Sequence, residues 1–500
     1  MDKYVLGIDL GTSAVKIILV NQSGKIVSEA YHEYPLIQSQ SGFSEQNPED
    51  WISAVYSGIQ TVLKKVTIKP EAIEGLSFSG QMHGLVLLDT VNTVLRPAIL
   101  WNDTRTTKQS QEILQKMRDF ISITKNKPLE GFTLPKILWV KENEPETFAK
   151  VKTILLPKDY VRFRMTGVLN IDYSDAAGTV MMDVEKHQWS HAICDLFGIP
   201  MNILPPLINA SDEVGTITKE TAVLTGLSPK VRVFAGGADN ACGAIGAGII
   251  NENEAMCSIG TSGIILTYEK GMRDYHGDIH FFNHALNNAY YSMGVTLSAG
   301  YSLSWFKRNF GKTLTMEEFV TLAEKSPVGA NRLLFTPYLI GERTPYADSN
   351  IRGSFIGLDA MQTEGDFIRA VLEGIVFSLK DILSVYMCYQ KSIETIVSIG
   401  GGAKSKLWLQ MQADIFNRRI ITLKTENGPS YGAAMIAAVG LHWFNNFKEC
   451  FDQFIQVGDI YFPQKENVDK YNEYYGLYQE VYKDTRSLSE KLLEIERIPR

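Results

Sequence analysis

Five hundred residues exceed what one hydrophobic core ordinarily serves, so two domains of similar size are expected. With 45% hydrophobic and 21% charged residues the composition is that of an ordinary globular chain, and a formal charge of −7 argues against nucleic-acid or membrane-surface partners, which call for a basic face. It does not exclude an anionic ligand, because backbone amides and helix N-termini bind phosphate without net positive charge.

No uninterrupted apolar run approaches the roughly 18 residues of a membrane helix, and Met1-Asp2-Lys3 passes straight into a strand-like run, so neither a span nor a leader segment is expected. Tyr4 to Asp9 is a β-branched apolar run ending in an acid. Gly11-Thr12-Ser13 makes the turn, Val15 to Val20 reads as the return strand, and Lys25 to Ala30 as a third. Glu71 to Phe78 reads as a strand leading into Ser79-Gly-Gln-Met-His-Gly84, and Leu85 to Asp89 as another. Val231 to Ala235 enters Gly236-Gly237-Ala238-Asp239-Asn240.

Half a chain after the first hairpin the pattern returns. Ala255 to Ile259, the turn Gly260-Thr261-Ser262-Gly263 and Ile264 to Tyr268 repeat strand, turn and strand, which predicts a duplicated architecture. One copy opens each domain, 1–245 and 246–500, with the glycine-rich Gly243 to Gly248 as the boundary. Further on, Gly365 to Tyr386 has helical periodicity and Thr395 to Ile399 is strand-like before Gly400-Gly401-Gly402. Lys406 to Asn417 reads as an amphipathic helix, Gly432 to Val439 as a helix of small residues, and Glu449 to Arg500 only as amphipathic helix. The alternation of strands and helices predicts an α/β fold.

Phosphate chemistry is the common theme of the loops. In Asp9-Leu-Gly-Thr-Ser13 a glycine lets backbone amides approach a phosphate, Thr12 and Ser13 add donors, and Asp9 can hold a Mg²⁺ hydration shell, with Lys16 in reach of a terminal phosphate. An ordinary hairpin with a surface acid has the same sequence. Gly260-Thr261-Ser262 would be the matching clamp, and Gly400 to Ser405 could let a flat nucleoside lie on bare backbone. The spacing G-x-x-x-x-G-K-[ST] is absent, and the glycines from Gly236 to Gly248 lack the βαβ context of a dinucleotide site. Asp239, at a strand end among small residues, suits a general base as well as it suits a turn aspartate bonding its own backbone. Met82-His83 offers a sugar one apolar and one hydrogen-bonding surface, and Asp103 lies among similar polar turns. His276, His280 and His284 are four apart, but their segment alternates like a strand, which favours structural roles. The five cysteines (Cys194, Cys242, Cys257, Cys388, Cys450) form no C-x-x-C pair and read as reduced thiols of a cytoplasmic protein without a zinc site.

These pieces together resemble the FGGY carbohydrate kinases, of the superfamily of hexokinase, actin and the heat-shock chaperone ATPases. Gly131-Phe-Thr-Leu-Pro-Lys136 through Asn143, and Gly353 to Leu358 followed by Asp366 to Glu373, fit the two long family signatures. Gly80 to Gly84, Pro97 to Arg105, Leu156 to Tyr160, Ser174 to Thr179 and Gly341 to Pro345 are similar to the branch that phosphorylates D-xylulose. The resemblance implies two α/β domains of actin-like, ribonuclease-H-like build flanking a deep nucleotide and sugar cleft. It implies ATP-dependent phosphorylation of D-xylulose at O5, with ATP and Mg²⁺ as cofactors. Asp239 becomes the catalytic base, and Asp9 the acid that meets the metal through water. Met82, His83, Asp239 and Asn240 contact the sugar, while Thr12, Ser13 and Lys16 line the γ-phosphate. Gly260, Thr261 and Ser262 bind phosphate, and Gly401, Gly402 and Asn417 lie at the adenosine. Ala238 departs from the family's glycine by one methyl group. The partners implied are a small sugar and ATP, with no nucleic acid and no membrane, and a homodimer is compatible with this reading. The same machinery would serve D-ribulose, gluconate or glycerol, and the superfamily also holds nucleotide-dependent binding proteins.

Overall fold

The N-terminal apolar run forms the strand Tyr4–Leu10, and the Gly11-Thr12-Ser13 turn returns it as Ala14–Asn21, followed by Ile26–Glu33. The computed structural model describes residues 2–425 and 428–495 and divides into two compact units. The first gathers the chain up to Ile250 together with Glu269–Tyr291 and residues 428–456; the second holds Asn251–Tyr268, residues 292–425 and the chain from Val457 on. A single cut at 245/246 would leave both later stretches of the first unit in the second half.

In the first unit the sheet runs in the order Glu213–Thr216, Arg232–Phe234, Ile73–Gly80, Tyr4–Leu10, Ala14–Asn21, Ile26–Glu33. Tyr4–Leu10 is antiparallel to Ala14–Asn21 and parallel to Ile73–Gly80, which is parallel in turn to Arg232–Phe234. In the second unit Glu254–Ile259 is antiparallel to Gly263–Glu269 and parallel to Thr395–Gly400, which is parallel to Arg419–Leu423. Each sheet closes on an antiparallel edge strand, Glu213–Thr216 in one and Val457–Tyr461 in the other. Order and sense therefore repeat strand for strand, and the paired hairpins of the sequence are the visible part of that duplication.

The helix Pro48–Lys64 covers one face of the first sheet. Trp51, Val55, Ile59 and Val62 recur at helical spacing, are buried, and pack on Ala14–Asn21 and Ile26–Glu33, each contributing about 1.5–3 kcal/mol of apolar burial. Asn47 caps this helix by accepting the amide of Glu49, and Pro48 fixes its first turn. The helix Gly428–Gly440 works by smallness instead. A Cβ on Gly7 would stand 1.9 Å from the Ser430 carbonyl oxygen, and one on Gly432 1.9 Å from that of Cys242. Backbone meets backbone at both crossings, so this late stretch is locked into the first unit. Gly243 and Gly246, whose run reads as a boundary, lie inside the helix Asp239–Gly246, where a Cβ on Gly246 would come 2.6 Å from the Gly428 carbonyl oxygen. Gly246 serves close helix packing, and the first stretch of the first unit ends two residues after Gly248, at Ile250.

Beyond Glu449 the single amphipathic helix of the sequence reading is three elements: Phe447–Phe454, the edge strand Val457–Tyr461 and the helix Lys465–Glu494. The strand is short, largely exposed and contains Gly458 and Asp459, so it carries no apolar alternation to read. All five cysteines are free thiols. Among the described residues no helix is long and apolar enough to cross a membrane.

Gly432→Ala places a methyl group into the Cys242 backbone and is expected to lower Tm strongly or abolish soluble expression. Gly476→Ala, in the exposed middle of Lys465–Glu494 with nothing within 4 Å of the new methyl, is expected to stabilise by about 0.5–1 kcal/mol. Thermal denaturation of the two variants side by side checks the contrast.

Candidate active site

Register along three short parallel stretches assembles the site. Asp9 is opposite Ser79, and Ser79 is opposite Gly237; one residue on, Leu10, Gly80 and Ala238 align. The strand ends thus share one edge, the edge at which parallel α/β sheets present ligands. Asp9 stands on the first strand and Asp239 directly follows the third, two strand spacings or about 10 Å across the sheet. Ser79 between them donates its hydroxyl to Asp9 Oδ1 at 2.9 Å.

Asp239 opens the helix Asp239–Gly246, and its Oδ1 accepts the Asn240 amide at 2.7 Å and Asn240 Nδ2 at 3.1 Å. Burial pushes its carboxyl up to about 7, the charge of Asp9 adds to the rise, and the Asn240 amide opposes it. Burial likewise pushes Asp9 up to about 6, against the Ser79 hydroxyl and the charge of Lys16. Lys16 is Asp9's register partner across the hairpin, and its ammonium lies 3.5 Å from Glu29 in an exposed ion pair.

The turn after Asp9 is braced by groups far away in sequence. Trp101 Nε1 donates to the Thr12 hydroxyl at 2.8 Å, Gln46 Nε2 to the Thr12 carbonyl at 2.6 Å, and the Tyr34 hydroxyl to the Gly11 carbonyl. Ser13 at the tip is exposed. Trp101 belongs to the family-like segment Pro97 to Arg105, whereas nothing in the sequence singles out Gln46 or Tyr34.

Met82 and His83 follow the strand Ile73–Gly80, with the Gln81 amide donating to the Leu10 carbonyl at 2.8 Å. His83 has φ +67, a left-handed conformation that costs a non-glycine residue about 1–3 kcal/mol. It is held there from three sides. Its Nδ1 lies 2.6 Å from the Gly178 carbonyl, its own carbonyl accepts Thr133 Oγ1 and Lys136 Nζ at 3.0 Å each, and its ring meets Phe132 edge-on at 4.5 Å. Thr133 and Lys136 belong to the first family-like signature, whose task here is to support His83. Burial pushes the Lys136 ammonium well below the ordinary lysine range. Met82 Sδ faces Asn240 Nδ2 at 3.6 Å and the Tyr291 hydroxyl at 3.5 Å. Met82, Asn240 and Asp239 are therefore contiguous, with His83 next to Met82; Phe132 joins them from the first family-like signature, and Tyr291 joins them unannounced by the sequence.

Asp103 is fully buried and bound by Arg105 and the Ser44 amide, a structural ion pair away from this row. His280 and His284 also have structural partners: His280 Nδ1 lies 3.1 Å from Asn126 Oδ1, and His284 Nδ1 accepts the Leu286 amide at 3.1 Å.

The second unit brings two glycine loops together. Ile259 is paired with Gly400, so Gly260 to Ser262 and the turn Gly401–Ala403 lie side by side at the strand ends. The Gly260 and Thr261 carbonyls accept the Gly300 and Tyr301 amides at 2.8 and 3.0 Å, which docks the loop on the start of the helix Gly300–Phe310. Gly260, Thr261 and Gly401 are exposed, and Gly402 packs on Ile259. Asn417 does not join them. It is the left-handed cap, φ +51, at the far end of Lys406–Phe416, and the pairing of Thr395 with Arg419 puts it at the opposite edge of the sheet. Asparagine is chosen there because it tolerates that backbone. The second family-like signature is also structural: Asp366 caps its helix with Thr363 and accepts Ser326 and Asn331, while Glu373 pairs with Arg369.

Residues 4–246 match the model for the N-terminal domain of the FGGY family of carbohydrate kinases, and residues 255–441 that for its C-terminal domain. The chain is 54% identical over 492 residues to a xylulose kinase of Bacillus subtilis, covering 98% of this chain and 99% of that one. Among solved structures, a xyloylose kinase from Brucella ovis superposes with a TM-score of 0.90 at 34% identity, over 97% of this chain and 99% of its own. A gluconate kinase from Lactobacillus acidophilus superposes with a TM-score of 0.93 at 29% identity, over 98% of this chain and 100% of its own.

The raised carboxyl of Asp239 has a thermodynamic consequence. An unfolded aspartate ionises near 4, so the folded state is penalised fully above about pH 7, and the penalty fades as pH falls towards about 4. Asp239→Asn removes it. The variant is expected to melt above the parent at pH 8, with the gap shrinking at pH 5; a variant that melts lower at both pH values would contradict the burial of this charge.

Proposed function

The chain belongs to the FGGY family of carbohydrate kinases, and from that premise we propose that it transfers the γ-phosphate of ATP to O5 of D-xylulose, giving D-xylulose 5-phosphate and ADP. One observation carries the chemistry: a carboxyl pushed up to about 7, beside a second acid and next to Met82 and Asn240. A base of that pKa is half-ionised near neutral pH and still basic enough to take a hydroxyl proton. Both Asn240 bonds fall on Oδ1, which leaves Oδ2 to accept.

In this reading the O5 proton passes to Asp239 as O5 forms its bond to the γ-phosphorus and the bridging oxygen leaves with ADP. Met82 gives the sugar an apolar wall, while His83 and Asn240 give it polar edges. Thr12, Ser13 and Lys16 line the γ-phosphate, and in the second unit the glycine loops Gly260 to Ser262 and Gly401 to Gly402 offer backbone suited to phosphate and nucleoside. The acids fit a hard divalent cation, because both are oxygen donors whose ionisation burial resists and a cation favours. Asp9 would hold Mg²⁺ largely through water, and the ion when bound supplies neutralisation of phosphate charge. Since there is little covalent work for a protein in phosphoryl transfer, positioning of O5 and Asp239 supplies most of the acceleration.

The likeness to a gluconate kinase raises a second substrate. Gluconate carries a carboxylate and calls for a cation at the sugar site. Lys136, whose ammonium lies beside His83, is fully buried and spends its donors on the His83 and Gly131 carbonyls at 3.0 and 2.7 Å. Turned to the backbone in this way, it favours a neutral ketose.

A coupled ADP-release assay with MgATP is expected to give its highest kcat/KM with D-xylulose among D-xylulose, D-ribulose, gluconate and glycerol. Asp239→Asn is expected to lose about a hundredfold or more, and the parent's kcat/KM to fall on an acidic limb near pH 7 that the variant lacks. Higher kcat/KM with another polyol would discard the substrate and keep the kinase. A fully active Asp239→Asn would discard the base.

A further inference from the structure

Behind the strand ends lies a group of buried charges that phosphoryl transfer does not use. Lys158, Asp159, Arg162, Asp172 and Asp175 are all fully buried. The Lys158 ammonium lies 2.6 Å from Asp159, 2.5 Å from Asp172 and 2.9 Å from Asp175, filling the position a metal ion would take among the three carboxylates. Arg162 adds a second cation 3.1 Å from Asp159. Desolvating so many charges is costly, and well-packed apolar residues would hold the same space more cheaply, so their retention asks for a reason other than stability.

Their connections supply one. A Cβ on Gly80 would stand 2.8 Å from Lys158 Cβ, so the cluster packs directly on the end of the strand that pairs with Gly237 and Ala238. Asp172, which meets Lys158 through Oδ1, accepts the Ser174 amide at 2.8 Å and the Ser174 hydroxyl through Oδ2. The Ser174 Oγ in turn accepts the Ala238 amide at 2.9 Å. That amide is the last backbone donor before Asp239. At the other end of the same turn, Arg162 donates to the Ala235 carbonyl. Between them the chain makes a left-handed step at Gly236, φ +78, where a Cβ would come 2.1 Å from the Phe78 carbonyl oxygen. Four residues, with a left-handed step that only glycine fits, are thus gripped at both ends by one charge cluster.

Taking Asp239 as the general base, we infer that the Lys158–Asp172–Ser174 chain, with Arg162, is the device that positions it. The chain clamps Ala235 to Ala238 and so fixes the direction in which Asp239 leaves the strand end. Ser174 touches neither reactant; it is a positioning residue acting through the Ala238 amide. Without its hydroxyl the Ala238 amide loses its acceptor, the turn relaxes, and O5 meets a misplaced base.

Ser174→Ala is expected to lower kcat per active site about ten- to a hundredfold with KM for ATP within about twofold. Ser174→Cys fills the same space with a weak acceptor and is expected to behave alike, which supplies the reading should the alanine variant not fold. Ser174→Thr keeps the hydroxyl and is expected to restore most of kcat. A structural role alone would lower Tm and the active fraction and leave kcat per active site unchanged. The inference is overturned if folded Ser174→Ala or Ser174→Cys keeps the parental kcat per active site, or if Ser174→Thr loses as much as Ser174→Ala. Asp239→Asn, run alongside, separates the two ideas: if it is inactive while the Ser174 variants are normal, the base stands and the clamp fails.

Discussion

Everything at the site depends on holding the carboxyl of Asp239 where the fold strips part of its solvation and the charge of Asp9 is felt. An isolated aspartate on a surface turn would ionise near pH 4 and be a feeble base. Here the fold withholds solvation and adds the field of Asp9, and the result is a group that titrates near neutrality. Local hydrogen bonds work against that rise, as the two from Asn240 do here, so what sustains it is the backbone that places the group. The parallel alignment of Leu10, Gly80 and Ala238, with the helix Asp239–Gly246 departing at once, provides it. The price is stability, and it is met elsewhere, by helices such as Pro48–Lys64 and by the backbone-to-backbone crossings of Gly428–Gly440.

Local signals made part of this legible beforehand. Tyr4 to Asp9 and Ala255 to Ile259 announce strands because β-branched runs bounded by Gly-Thr-Ser have few alternatives. The repeat between them foretold a duplicated sheet order, and the small residues around Asp239 pointed to a strand-end acid. What stayed hidden depends on contacts between distant segments. Gln46 and Tyr291 are ordinary residues until the fold brings them to Thr12 and Met82, and Trp101 and Ser174, though in family-like segments, show their partners Thr12 and Ala238 only in the fold. One residue type can serve two ends. Asn417 terminates a helix in the left-handed region, and Gly246 lets two backbones touch; neither purpose can be told by spacing alone from a ligand contact or a domain boundary.

His83 and the Ala235–Ala238 turn show the same strategy at different places. Each holds backbone in a region that ordinary residues avoid, and each is fixed by buried donors and acceptors that cannot reach water. Lys136 and Thr133 grip the His83 carbonyl, while Arg162 and Ser174 grip the two ends of the turn. Strained backbone gripped by buried polar groups is stiff, because any relaxation strands a donor or acceptor in the interior. Stiffness rather than contact number is what a reaction governed by positioning requires.

The duplication also explains a division of labour. Gly11-Thr12-Ser13 and Gly260-Thr261-Ser262 are the same turn on equivalent strands, so position for position Asp9 corresponds to Ser258. The first turn stands beside an acid whose carboxyl burial pushes up to about 6, and the second beside a neutral serine. A carboxylate opposes an anion at the backbone next to it, whereas a serine leaves that backbone unopposed. A repeated sheet thus carries two chemically different turns, and the change that separates them lies two residues before each turn.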